Sequence, residues 1–504
     1  MRLRAFARFR SRTVRHKLKN GLARLSRVGA VRRLPGAVGN NRETGMHKDC
    51  RGVAVVAPSQ DAVERLDAVI ERLARFRVDP LAEVDALIAN HPDFALAHCL
   101  RGALMMLSTE KPAMAELERE IEAIKACPMG DRESMHLAGL EAWWRGDYHR
   151  MVDLYAEVLI RHPRDLLALF VLHQGDFLTG QSRLLRDHPA RVLAGWGDAP
   201  GRGFVMGMHA FGLEEMGDYA AAEAQGLRAL EADPLDAWAV HAVAHVMEMQ
   251  GRTDEGIAFM RERERDWASD NFLAYHNWWH RALFHLDREE HDEVLGLYDR
   301  GVRPVPSAVA MEMVDGSALL WRLELRGVDV GDRWQPLAEA WAPMLGDAHY
   351  PFNDVHAIMA MIGAGRMDDA RRGVEALAAS VEGGSAAAMT REVGLPVGRA
   401  LLAFAEGRDR DAVSDLAPVI AGAHRYGGSH AQRDLLDLTL IAAAERCDLP
   451  RASALLAERL ALKPSSLFNW AAAARVHSRL GDEATAALAQ REAAARRPSF
   501  STTP

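Results

Sequence analysis

Apolar positions along this chain cluster in helical stretches separated by short polar turns, and the same order of signals recurs at a fixed interval. Leu140 to Trp144 lead into Gly146-Asp147-Tyr148, and Met151 to Ile160 follow before a stop at His162-Pro163. The pattern returns 71 residues later: Phe211 to Met216, then Gly217-Asp218-Tyr219, then Ala220 to Leu230 and a stop at Asp233-Pro234. Glycine followed by Asp or Arg marks weaker copies at Gly251-Arg252, Gly365-Arg366, Gly407-Arg408 and Gly481-Asp482. Small residues in Ala224-Gln225-Gly226 and around Ala454 let paired helices approach closely. No strand-like alternation of useful length is seen, so the pattern predicts antiparallel helix pairs and a nearly all-α fold.

Two units of about 35 residues separate the Gly-Asp-Tyr copies, which is the length of a tetratricopeptide repeat. The predicted fold is therefore an all-α solenoid of tetratricopeptide-type helix-turn-helix repeats, an α-α superhelix. The array is expected to be right-handed and to cover residues 49–495, with fold-like sequence beginning near Val53 and a short tail at 496–504. One array can run through 504 residues because each unit packs only on its neighbours.

Composition narrows this picture at three points. A hydrophobic content of 49% supplies a continuous core, while a mean hydropathy of -0.16 and no long apolar run argue against a spanning helix. Cys50, Cys99, Cys127 and Cys447 lack CxxC spacing and read as free thiols in a reducing, cytoplasmic setting, without a disulfide framework or a thiolate zinc site. Charge is uneven: residues 1–48 hold 14 Lys and Arg against the single acid Glu43, leaving the remainder strongly acidic. That segment has no apolar core of secretory type and reads as a disordered basic extension. A transit peptide, a nucleic-acid-binding arm and a start at Met46 are its other readings; elsewhere nucleic-acid binding is not expected.

Histidine follows the repeat. His241/His245 and His276/His280 are i, i+4 pairs, each on one side of a helix, and the pairs lie 35 residues apart. His173 and His209 extend the column upstream at intervals of 36, and Asp315 extends it 35 residues beyond His280. Glu248 lies three residues after His245, and Asp176 three after His173. Stacked imidazoles with carboxylates nearby are donors for a divalent transition metal, and His241, His245, His276 and His280 are the candidate ligands. The stretch His241-Ala242-Val243-Ala244-His245 lacks the glutamate of an H-E-x-x-H zincin. The competing reading is a concave repeat face on which histidines bond to each other or to water.

Several strings carry a resemblance from about Gly52 to about Arg491. These are Val240 to Arg252, His276-Asn277-Trp278-Trp279-His280 continuing to Leu286, Leu319 to Leu325, Phe352-Asn353-Asp354-Val355-His356, and Gly427-Gly428-Ser429-His430-Ala431-Gln432-Arg433-Asp434. In them the chain resembles the tetratricopeptide-repeat protein 38 family. The resemblance implies a soluble α-helical repeat protein; it does not cover the basic first 48 residues.

Other polar groups have two readings each. Asp354 and His356 form an acid/base pair in a cavity, or else Asn353 or Asp354 caps a helix opening after Pro351. Ser429 fits a capping box with Gln432, the alternative being catalysis by Ser429; capping explains His430 and Arg433 less well, and Arg433 is suited to fork onto a carboxylate or phosphate of a ligand. Trp143-Trp144 and Trp278-Trp279, with Trp279 facing the histidines, are packing residues of which one in each pair must point away. No phosphate loop, nucleophile elbow or kinase signature is present.

Two function classes follow. In one, the concave surface of the superhelix binds a partner protein or peptide. In the other, an enzyme or small-molecule or metal-binding protein uses His241, His245, His276, His280, Asp315, His356, His430 and Arg433 as a pocket inside the superhelix. Whether the chain is an enzyme is left open between them.

Overall fold

The computed structural model describes residues 44–497, which form one compact unit. The disordered basic extension expected at the N-terminus, over residues 1–43, and the tail expected at the C-terminus, over residues 498–504, lie outside the described residues. Among those described the fold is all-α apart from one small hairpin, β1 (Gly45–Lys48) antiparallel to β2 (Ala54–Ala57). The hairpin corrects two expectations. Strands do occur, and residues 45–48 belong to the packed unit rather than to the basic extension. Val55 and Ala57 turn into the core, and the Glu133 carboxylate accepts a bond from Val56 N, so four-residue strands persist by packing rather than by a visible alternation.

Helices then follow in pairs. The first are α1 (Gln60–Ala74), α2 (Pro80–Asn90), α3 (Ala95–Leu107), α4 (Ala113–Ala126), α5 (Asp131–Trp144) and α6 (Tyr148–Arg161). The centre is built from α7 (Leu166–Leu178), α8 (Ser182–Trp196), α9 (Arg202–Glu215), α10 (Tyr219–Ala232), α11 (Ala237–Met249), α12 (Thr253–Glu262), the short α13 (Glu264–Trp267), α14 (Ala274–Asp287) and α15 (His291–Leu297). The C-terminal part comprises α16 (Ala310–Glu324), α17 (Trp334–Trp341), α18 (Pro351–Gly363), α19 (Met367–Ala379), α20 (Ser385–Met389), α21 (Leu395–Ala405), α22 (Asp409–Leu416), α23 (His430–Cys447), α24 (Leu449–Leu462), α25 (Leu467–Leu480) and α26 (Glu483–Arg496).

Turn chemistry explains the pairing. Gly146, Gly217, Gly251, Gly365, Gly407 and Gly481 all adopt positive φ between 66° and 80°, ending the first helix of a pair in the left-handed region. After Gly146, Gly217 and Gly481 the next residue, Asp147, Asp218 or Asp482, caps the second helix through its carboxylate. Arg252, Arg366 and Arg408 make no such cap, which is why those copies are weaker in the sequence.

The array closes across its own interior. Every residue of α11 is buried, and α7 and α18 are buried on nearly all sides, as helices enclosed by others must be. Tyr350 Oη donates to Leu178 O at 2.9 Å, Asn353 Nδ2 to Thr109 O at 3.2 Å, and Trp321 Nε1 to Thr439 Oγ1 at 3.0 Å. Gly180 marks one crossing where only glycine fits: at φ 67° an added Cβ would stand 1.6 Å from His424 O. Gly180→Ala is expected to cost about 3 kcal/mol or more, whereas Gly146→Ala, with open space around it, should cost only about 1 kcal/mol. Denaturant melts of the two variants check this.

Candidate metal centre

Helices α11 and α14 are first helices of adjacent pairs, so their equivalent faces stack. That stacking brings His241 and His245 of α11 against His276 and His280 of α14, with one ligand atom from each lying within 4.8 Å of all the others. His276 Nε2 stands 3.1 Å from His241 Nε2 and 3.2 Å from His280 Nε2. The His245 ring packs 4.4 Å from His241 and 4.3 Å from His280, centroid to centroid. His241, His245 and His280 are 1% exposed or less and His276 is 7% exposed, so water is nearly excluded.

Carboxylates hold the outer faces of these rings. Asp315 Oδ2 accepts from His276 Nδ1 at 2.7 Å, and Glu248 Oε2 from His280 Nδ1 at 3.0 Å. Glu214 Oε2 faces His245 Nδ1 at 3.4 Å. The carboxylates face Nδ1 of His276 and of His280, so it is Nε2 that each ring turns toward the other, at 3.2 Å. His245 Nε2 has no protein partner at all. A tetrahedral ion with bonds of about 2.0–2.1 Å to imidazole nitrogen separates its ligand atoms by about 3.3 Å. The donor set, its spacing and its carboxylate backing all fit such an ion.

Burial first, and then the neighbouring imidazoles, push the pKa of His241 and His280 far below the ordinary value; burial brings His245 to about 4. All three rings are neutral at physiological pH, which is the ligating form. Burial also holds Glu214 well above the carboxylate range, and its neighbour Glu215 adds to this. Glu215 is lowered despite its burial, by His430 and Arg433.

The remaining sequence candidates divide into those that reach this centre and those that do not. His173 accepts from Trp238 Nε1 at 3.0 Å, and the same indole packs 4.7 Å from His241, so His173 adjoins the cluster through Trp238. His209 is not among the groups within ligand distance. Asp176 turns to His188, at 2.7 Å. Trp279 stacks 5.4 Å from His276 and is fully buried, while Trp278 is partly exposed.

A cavity beside His276 and Asp315 is lined also by Tyr275, Phe352, Asn353, Gly428 and Gln432, so the strings near 353 and 430 converge on the centre. The details differ from the sequence reading. Helix α18 already starts at Pro351, and neither Asn353 nor Asp354 caps it. Asn353 instead donates to Thr109, and Asp354, raised by burial to about 7, accepts from Ala348 N at 3.1 Å. His356 donates from Nδ1 to Phe352 O at 2.7 Å and packs under the Phe352 ring, so it makes no pair with Asp354. Ser429 does form the capping box with Gln432.

Arg433, with His430, meets a carboxylate of this chain, Glu215, where the sequence reading expected one from a ligand. His430 N donates to Glu215 Oε1 at 2.8 Å and Arg433 Nη2 to Oε2 at 3.4 Å. Glu214 and Glu215 escaped sequence reasoning although a signal existed, since Glu214 lies 34 residues, one repeat, before Glu248. Glu215→Ala would leave the buried Arg433 without its anion and is expected to cost about 3–5 kcal/mol, read from the loss of stability to urea.

No family model matches the chain, so the resemblance to the tetratricopeptide-repeat protein 38 family rests on its residue strings alone. Among solved structures, a human IFIT1 dimer with PPP-AAAA is 12% identical with a TM-score of 0.40, covering 86% of this chain and 94% of its own. The Cut9-Hcn1 hetero-tetramer of APC/C is 12% identical at 0.33, covering 88% and 95%. Such likeness says nothing about the site or its role.

Proposed function

We propose that this protein is a metal-binding helical-repeat protein in which His241, His245, His276 and His280 hold one divalent transition metal. The observation that carries the reading is the buried cluster of four imidazoles with one ligand atom each within 4.8 Å of the others, in which His276 and His280 turn Nε2 toward each other at 3.2 Å. Asp315 backs His276 from a buried position, 1% exposed with Oδ1 unpartnered, as a carboxylate behind a ligating imidazole does. Imidazole donors suit zinc, copper, nickel and iron, and the tetrahedral spacing favours zinc.

Four protein ligands close the shell, which favours a structural or metal-storing role over catalysis needing an open position. The metal would then lock α11 to α14. The partner-binding reading keeps the outer faces of the array, because its inner faces pack on one another. Support for the pocket reading over the groove reading is this burial.

Elemental analysis of protein purified without a histidine tag tests the proposal. About one metal ion per chain is expected. Asp315→Asn should keep the four ligands and lower metal affinity by about 10- to 100-fold, because it removes the anion that orients His276. Metal-free protein that takes up no zinc on titration would overturn the reading in favour of imidazoles bonded only to each other.

A further inference from the structure

A second polar recess lies on the far side of Glu248, among α14, α16, α23 and α24, and its lining is mainly charged. Four cations, Arg322, Arg326, Arg459 and Lys463, face three acids, Glu248, Asp287 and Asp434. Two of the cations are fully engaged. Arg459 pairs with Asp434 at 2.7 Å and donates to Asn469 Oδ1 at 3.2 Å. Arg322 spends its Nη atoms on the carbonyls of Ala318, Ala431 and Gln432 and lies over the Trp279 ring.

The other two are short of acceptors. Lys463 is 7% exposed, and its nearest anion is Glu248 Oε1 at 3.6 Å, too long for a hydrogen bond. That glutamate is already committed through Oε2 to His280. Arg326 lies against the Phe468 ring and gives Nη1 to Arg322 O at 3.1 Å, while its buried Nε donates to nothing. An ammonium with three donors on a residue only 7% exposed and a buried guanidinium Nε without an acceptor are costly unless an anion satisfies them.

We propose that this recess is an anion site accepting a single oxyanionic group, phosphate or carboxylate, between Lys463 Nζ and the Arg326 guanidinium. Lys463 supplies a compact charge, and Arg326 supplies directed N–H donors, the pairing that oxyanion recognition uses. Arg322 and Arg459 add to the positive field without giving up their own bonds. Asp287, its carboxyl raised by burial, offers a donor to the anion when protonated. The site stands on its own residues and does not require a metal at the four imidazoles.

The test is calorimetric titration of the full chain with inorganic phosphate and, separately, sodium acetate, against sodium chloride at equal ionic strength. One saturable site is expected for at least one oxyanion, and the preference tells phosphate from carboxylate. Arg326→Gln and Lys463→Gln should each weaken that binding at least tenfold, while Lys125→Gln, on the exposed surface, should leave it unchanged. If Lys463→Gln fails to fold by circular dichroism, Arg326→Gln, which is partly exposed, decides the matter. Absence of saturable binding for both anions in the wild type, or equal affinity in the Arg326 variant, would overturn the proposal.

Discussion

Replacing His245 and His280 together with alanine should abolish metal binding and lower the melting temperature of the metal-loaded protein by at least about 4 °C. Each helix then keeps a single donor, His241 or His276, and Glu248 loses the imidazole it orients. A ligand present at a thousandfold over its Kd stabilises the folded state by about 4 kcal/mol. At roughly 1 °C per kcal/mol for a chain of this size, that is a shift of about 4 °C. Deleting two fully buried rings also leaves cavities, so the fall in melting temperature alone does not isolate the metal. The chelator arm does: chelator should lower the melting temperature of the wild type and leave the double variant where it was. No metal in either protein, with no chelator effect on the wild type, would sink the metal reading.

Legibility of the site tracked the repeat. Side chains placed one unit apart on first helices were readable by arithmetic, because stacked pairs put equivalent positions side by side; His241, His245, His276, His280 and Asp315 came from that rule. The same rule, applied to carboxylates, reaches Glu214 from Glu248. It fails where the backbone spacing slips: His209 sits at the expected interval yet is not within ligand distance of the four rings. Contacts across the interior were beyond it altogether. Nothing local in Glu215 and His430, 215 residues apart, or in Glu248 and Lys463, announces that the array folds back until they touch. Caps were readable where a side chain acts within four residues, as Ser429 does. They misled at Asn353 and Asp354, whose partners, Thr109 and Ala348, are supplied by the tertiary fold. The β1–β2 hairpin was missed for a related reason, since four-residue strands take their order from the helices they cover.

Protonation of His241, His245 and His280 should leave metal affinity untouched from about pH 8 to about pH 5 and cut it steeply only below that. An exposed histidine cluster behaves otherwise, because free imidazoles protonate near 6.5 and shed metal by about pH 6. Here burial and mutual proximity have already driven His241 and His280 far down, and burial has brought His245 to about 4. Only the neutral ring ligates, so protons compete with the metal below the ligand pKa of the metal-free protein, and depressing that pKa moves the competition to lower pH. Folding stability carries the same sign for these groups. An unfolded histidine takes up its proton near 6.5 while the folded one does not, so their contribution is present above about pH 6.5 and is lost as pH falls toward 4. Asp236 and Asp354, raised by burial to about 7, and Asp176, raised to about 6, act in the opposite direction over that range. Melting curves therefore mix two opposed trends, and competition with a colorimetric zinc chelator at each pH is the cleaner measurement. Loss of metal with a steep, several-proton slope centred near pH 6.5 would show that these three rings are hydrated and open to solvent, and the buried tetrahedral centre would have to be abandoned.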